Sequence, residues 1–324
     1  MRNLAGLILM IMSVYLNAYE LSGIDAAYYD FDARITALGG AAVALAGTSP
    51  AAMIANPAAL AEQETSKIFQ VSNSTYLDLL SYNYAGLSWQ KQPGRTLALA
   101  VDFCGDEVMT EYEFIFSYST KAERFYKGNA ILEKLNIGLN FKLLGSSFGN
   151  NKDGVWYDEN GYNHQVQGNS YGFGLDWGVQ YKLNDQHRLG LFNRNLANTI
   201  FYSSSNEVGT AAGDYQESRP ATLVCGYCYS QSQVLLCLDY DISLYDDRES
   251  YLRSGLEIKM FDDVLKLRTG LATELYSLHA LHYNFGCGIN FRIVRRQFQL
   301  DIAYRVFSQW QGHNNLLFGL KMSL

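Results

Sequence analysis

Proline is scarce in this chain, with 4 residues in 324 against 24 Tyr and 17 Phe. That bias favours strands. Charge is also sparse, at 18% of residues with a net of −7 and no basic run. A nucleic-acid surface needs a clustered positive footprint, so that class of partner is excluded. Five cysteines are too few for a disulfide framework in a chain of this length. The five histidines (His164, His187, His279, His282 and His313) are scattered, and neither G-x-S-x-G nor H-E-x-x-H occurs. "NNKDG" and "DENG" miss the full calcium-loop pattern and read as turns. No enzyme activity, metal or cofactor is expected.

Long apolar runs are confined to the N-terminus. Arg2, the apolar core Leu4 to Tyr15 and Leu16-Asn17-Ala18 form a secretory signal over residues 1–18. Its core is shorter than the roughly 20 residues that span a bilayer as a helix. The mature chain is expected to begin near Tyr19.

Beyond Lys67 the dominant signal is a period of two. In "YGFGLDWGVQYKL" (171–183) the odd positions are aromatic or aliphatic and the even ones are glycine or polar. "LHYNFGCGINFRI" (281–293) repeats the pattern, which is that of strands. Fourteen strands are expected, near 66–73, 82–90, 95–103, 110–119, 134–145, 170–182, 187–194, 219–229, 233–242, 250–260, 264–273, 280–293, 296–306 and 314–324. In the second, Tyr82 and Tyr84 give way to Ala85, Leu87 and Trp89, a phase slip that a bulge would produce. Cys225 and Cys228 fall on opposite faces of their strand, so this C-x-x-C is not a redox or zinc motif. A bridge from Cys228 to Cys237 is geometrically open if the intervening turn is tight.

Short and long connections largely alternate, with long ones at 145–170 and 195–218, and with 119–134 breaking the rule. The charges of the strands share one face: Glu111, Glu113, Asp239, Asp241, Arg253, Glu257, Lys259, Lys266, Arg268, Asp301 and Arg305. A soluble sandwich tolerates charge on its outer face. A membrane barrel does not, since Lys or Arg facing mid-bilayer lipid costs roughly 2–4 kcal/mol. An all-β fold is therefore expected: a transmembrane antiparallel barrel of about 14 strands over 65–324, with outer-membrane lipid around it. Its lumen carries Asp239, Asp241, Arg253, Glu257, Lys259, Lys266 and Arg268, and acids near 233–242 are placed to pair with bases on the next two strands.

One segment does not fit this pattern. "ALGGAAVALAGTSPAAMIANPAALAE" (37–62) is rich in Ala and Gly and holds Pro50 and Pro57. Thr48 or Ser49 with Pro50, and Asn56 with Pro57, read as helix starts. A lumen of fourteen strands is too wide for its own side chains to fill, so residues 19–64 are expected to form a short α-helical hatch inside it.

The stretch 32–62, with Ala33-Arg34, Gly39-Gly40 and Asn56-Pro57-Ala58, resembles the N-terminal signature of the FadL superfamily. That group comprises outer-membrane transporters of hydrophobic compounds and the PorV and PorQ proteins of type IX secretion. The resemblance implies a hatch motif at Gly39, Gly40, Asn56, Pro57 and Ala58, and the outer membrane of a Gram-negative-type bacterium. It also implies one of two functions. The first is passage of hydrophobic small molecules by binding and diffusion, with capture by the loop aromatics Trp156, Tyr157, Tyr162 and Phe201. The alternative is docking of exported proteins on the outer loops. The same aromatics suit a membrane-interface belt equally well.

Overall fold

Alternation along each strand sorts side chains to two faces, and closing the sheet makes one face a lumen. The computed structural model describes residues 31–76, 80–105, 108–149, 159–161, 166–206, 213–243, 250–275, 281–308 and 314–324. The expected signal at 1–18 and the aromatics Trp156, Tyr157 and Tyr162 lie outside them.

The strands are β1 (Lys67–Tyr76), β2 (Leu80–Gln92), β3 (Arg95–Gly105), β4 (Met109–Lys121), β5 (Leu135–Phe148), β6 (Gln167–Lys182), β7 (His187–Ser205), β8 (Asp214–Glu217), β9 (Thr222–Gln231), β10 (Val234–Ser243), β11 (Tyr251–Met260), β12 (Leu265–Glu274), β13 (Leu281–Ile293), β14 (Arg296–Phe307) and β15 (Asn315–Ser323). Each pairs antiparallel with its neighbours, and the β1–β15 ladder closes the ring. Only β8 stands apart, pairing with β7 alone. The barrel therefore has fourteen strands, as the periodicity indicates.

Outside, the apolar residues form a band: Leu99, Phe114, Phe141, Phe173, Leu238 and Phe285 all point away from the lumen and are exposed. Inside, the buried residues include Lys142, Glu257, Arg268 and Asp239. This inversion of a soluble protein's layout is the mark of a wall facing lipid.

Two expectations need correction. First, β2 runs in unbroken register with β1 from Tyr76↔Leu80 to Lys67↔Trp89, so no bulge explains its phase slip. Tyr82 and Tyr84 are lumenal aromatics packed against Phe31, while Leu87 and Trp89 face outward. Second, the segment from 195 is not all loop, because β7 continues to Ser205. Phe201 lies in that extension, paired with Tyr171 across β6 and stacked on it at 5.4 Å. The strand resumes after a bulge in which Leu175 pairs with Ala197 but Trp177 with Asn193. Asn195, at the bulge, takes φ 55°, a conformation Asn tolerates better than most residues. The connection over 119–134 is long as expected, and it contains two short 3-10 turns, Ala122–Arg124 and Leu132–Lys134.

Candidate functional site

Residues 31–66 run through the lumen. They comprise α1 (Ala33–Ala37), α2 (Ala52–Ala55) and a 3-10 helix, Pro57–Glu62, joined by irregular backbone. Short helices leave most of their donors and acceptors without internal partners. Buried backbone groups must find partners elsewhere, and the polar inner face of the barrel supplies them.

Asp239 of β10 accepts from the amides of Ala42 (2.6 Å) and Val43 (2.9 Å). Gln180 of β6 donates to the carbonyls of Val43 and Leu45, each at 2.9 Å. Asn140 of β5 donates to Met53 O at 2.9 Å, and Lys321 of β15 to Thr48 O at 3.0 Å. At the start of α1, Asp32 caps Ile35 N (2.7 Å) and receives Gln70 of β1 (2.6 Å). Clamps on β1, β5, β6, β10 and β15 thus hold the segment from several sides of the ring.

Asn56 and Pro57 behave as their pairing indicates. The Asn56 side-chain oxygen Oδ1 accepts from Ala58 N at 3.0 Å and Pro57 opens the 3-10 helix. Its amide also donates to Val43 O (2.8 Å) and Val179 O (3.2 Å), tying two plug segments to β6. The other expected start differs. α2 begins at Ala52 with Ala51 at its N-cap and no side-chain cap, and Thr48 instead accepts from Arg34 at 2.8 Å. The turn after α1 is built on Gly39 and Gly40, with φ 69° and 84°. A Cβ on Gly39 would also press on Leu271 O and Ser254 O, so both torsion and space require glycine there.

At three places the wall meets the plug with a cross-strand pair of glycines. Gly138 and Gly178 are cross-strand partners and receive Asn56 to Ala58. Gly190 and Gly226 receive Val43 and Ala44, and Gly255 and Gly270 receive Leu38 and Gly39. A Cβ on any of the six would collide with the plug. Sequence reasoning missed these seats. Their only trace was glycine on the polar face of an alternating strand, and nothing in one strand says which glycine its neighbour presents.

Ion pairs complete the hold. Arg34 of α1 meets Glu257 of β11 through Nε (2.9 Å) and Nη2 (3.1 Å). Glu257, fully buried, also receives Arg268 of β12 at 2.7 Å, and Arg268 reaches Asp301 of β14 at 2.6 Å. Asp241 pairs with Arg253 at 2.7 Å. Lys266 lies 3.3 Å from Asp263 in the β11–β12 turn, and Lys259 lines a cavity at the tight-turn end of the barrel. Of the seven lumenal charges expected, Asp239 and Glu257 contact the plug and Asp241, Arg253 and Arg268 belong to wall pairs, Arg268 through Glu257. At the far end of the plug, Glu62 accepts from Asn136 and Arg188, each at 3.0 Å. Burial pushes the Glu62 carboxyl up, but those two partners outweigh it and leave its pKa below the ordinary value.

Among the described residues no group of His, Cys, Asp and Glu is arranged to hold a metal ion. Besides the cavity at the tight-turn end, which Arg34, Leu45, Ala46 and Thr48 of the plug also line, two small cavities flank the plug. One is lined by Phe31, Ile35, Ile54 and Arg194, the other by Arg34, Leu45 and Ala52, and each measures about 10 Å³. That is room for about one water.

The overall fold of the chain matches solved structures. It is shared with a FadL homologue. The CymD monoaromatic hydrocarbon channel superposes with a TM-score of 0.60 at 12% identity, covering 91% of this chain and 97% of CymD. The Pseudomonas putida toluene transporter TodX gives 0.59 at 13%, covering 91% and 98%. A Pseudomonas aeruginosa FadL homologue gives 0.59 at 11%, covering 94% and 99%. Neither the family models nor the curated proteins match the sequence. At such identities the backbone architecture is shared, and side-chain roles do not transfer.

Proposed function

We propose that the protein is an outer-membrane channel that lets small hydrophobic molecules cross by binding and diffusion, without covalent chemistry. The observation that carries this reading is the plugged lumen. Residues 31–66 cross it and are tied to β1, β5, β6, β10 and β15, so a permeant that takes this path must displace part of them. The neighbours with this architecture include a toluene transporter and a monoaromatic hydrocarbon channel, which makes aromatic hydrocarbons the first class to test.

In this reading residues 1–18 direct export and 19–64 are the hatch, with Gly39, Gly40, Asn56, Pro57 and Ala58 as its fixed points. Lumenal charge sets how firmly the hatch is held. Trp156, Tyr157 and Tyr162 serve capture at the outer end, together with Phe201 in its stack with Tyr171. Cells carrying the protein should accumulate a labelled monoaromatic hydrocarbon faster than cells lacking it. The gently extracted barrel should also retain apolar small molecules in native mass spectrometry. Equal uptake together with a stoichiometric protein partner in the spectrum would overturn the proposal in favour of exported-protein docking.

A further inference from the structure

We propose that Cys228 and Cys237 are joined as a disulfide in the mature protein, stapling the β9–β10 hairpin where it backs the plug. The proposal rests on reading the chain as exported. The two residues are direct cross-strand partners, and their strands are linked by the tight turn Ser232–Gln233. Both side chains are buried in the lumen, and their Sγ atoms stand 3.1 Å apart.

The backbone favours the bond as well. Ser230 turns its N–H away from β10, donating to Gln186 O at 2.8 Å. Cys228, two residues back, shares that orientation, so 228–237 is a non-hydrogen-bonded pair. Such pairs hold their Cα atoms about 4.5 Å apart, within the span a disulfide bridges. The other cysteines are placed elsewhere: Cys104 on β3, Cys287 on β13, and Cys225 on the outer face of β9.

The chemistry is thiol–disulfide exchange with a thiol oxidase of the exporting compartment. A cavity of about 170 Å³ is lined by Cys228 together with Arg34, Arg188 and Lys259. The thiolate is the attacking form. One cysteine thiolate attacks the oxidase disulfide, forming a mixed disulfide and expelling one oxidase sulfur as thiolate. The second cysteine attacks that mixed bond, closing 228–237 and releasing the second oxidase sulfur. Two electrons pass to the oxidase, and the two cysteine protons end on its sulfurs. The staple would act on the plug directly, because Cys228, Cys237 and Leu235 pack in one cluster with Ala42, Ala44 and Leu45.

The test is to denature the membrane-extracted protein with excess N-ethylmaleimide and no reductant, then map the adducts. The expected result is labelling at Cys104, Cys225 and Cys287, a linked 228–237 peptide, and loss of that link when reductant is added first. Labelling of Cys228 and Cys237 without reductant overturns the proposal. Refolding the full chain in detergent under a glutathione redox buffer separates the bond from the compartment. A heat-modifiable barrel carrying the 228–237 link supports the proposal, and one with both thiols reactive overturns it. Absence of the chain from the outer-membrane fraction would overturn the localisation reading, leaving the refolded barrel to decide the bridge.

Discussion

On the β11–β14 side of the lumen, Glu257 receives Arg34 from the plug and Arg268 from the wall. On the β4–β6 side, Lys142 stands 2.9 Å from Asp176 and 3.8 Å from Glu113, which also receives Arg219 at 2.7 Å, and none of these residues belongs to the plug. Both centres are buried, Glu257 at 0% exposure and Lys142 at 1%. Their chemistry is the same, but what they hold differs. The first ties a separable segment to the wall. The second braces the wall where β7 leaves register, since Asp176 also accepts Asn195 N at 2.7 Å and Lys142 donates to the Asn195 side chain at 2.7 Å. A buried ion pair by itself is weak evidence for stability, and what it accomplishes depends on which bodies it joins.

Four experiments would break or sharpen that contrast, the three substitutions at Glu257, Asn56 and Lys142 read as trypsin cleavage at Arg34 in the detergent-solubilised barrel alongside its thermal unfolding, and the pH series as thermal unfolding alone. The largest effect is expected from Glu257→Gln, which leaves Arg34 without its carboxylate. Breaking a buried pair costs about 3–5 kcal/mol, so Arg34 should become cleavable while the barrel remains folded. A plug that stays protected would show that the glycine seats alone hold it.

Asn56→Ala comes next. It removes the side-chain bonds to the carbonyls of Val43 and Val179 and the Ala58 cap, a loss of about 1–3 kcal/mol. Cleavage should rise less than in Glu257→Gln.

The third effect is one of pH. The Glu62 pKa is depressed in the folded protein, so the stability it contributes is present above its unfolded value and is lost as pH falls through the folded one. Acidification across the carboxylate range should loosen the 3-10 helix end of the plug, and Glu62→Gln should remove that component of the pH profile. An unchanged profile would mean that other acids govern it.

The smallest effect on the plug is expected from Lys142→Met. The unfolding midpoint should fall, because Asp176 and Glu113 lose their shared cation, while Arg34 stays as protected as in the parent. Cleavage matching Glu257→Gln would erase the distinction between the two clusters.

Much of this architecture was legible in the chain because a strand declares its two faces locally. The alternation over 171–183 and 281–293 identified β6 and β13, and the charges sharing one face located the lumen before any pairing was known. Asn56-Pro57 announced its own 3-10 helix, since a cap and a proline act within a few residues. Thr48-Ser49-Pro50 carried the same signal and was overridden. Arg34 engages the Thr48 hydroxyl, and α2 starts without it. Tyr82 and Tyr84 looked like a register fault because lumenal aromatics are unexpected until Phe31 is known to lie beneath them.

The sequence by itself determined the strand count, the lipid and lumen faces, and a small-residue segment suited to confinement, all properties set by neighbours one to four residues away. Tertiary structure alone decided that Gly138 meets Gly178, Gly190 meets Gly226 and Gly255 meets Gly270, and that Arg34 reaches Glu257 across 223 positions. Those matches depend on the stagger of separate strands and the path of an irregular segment between them. Both are fixed only when the ring closes around the plug and every buried polar group has found its partner.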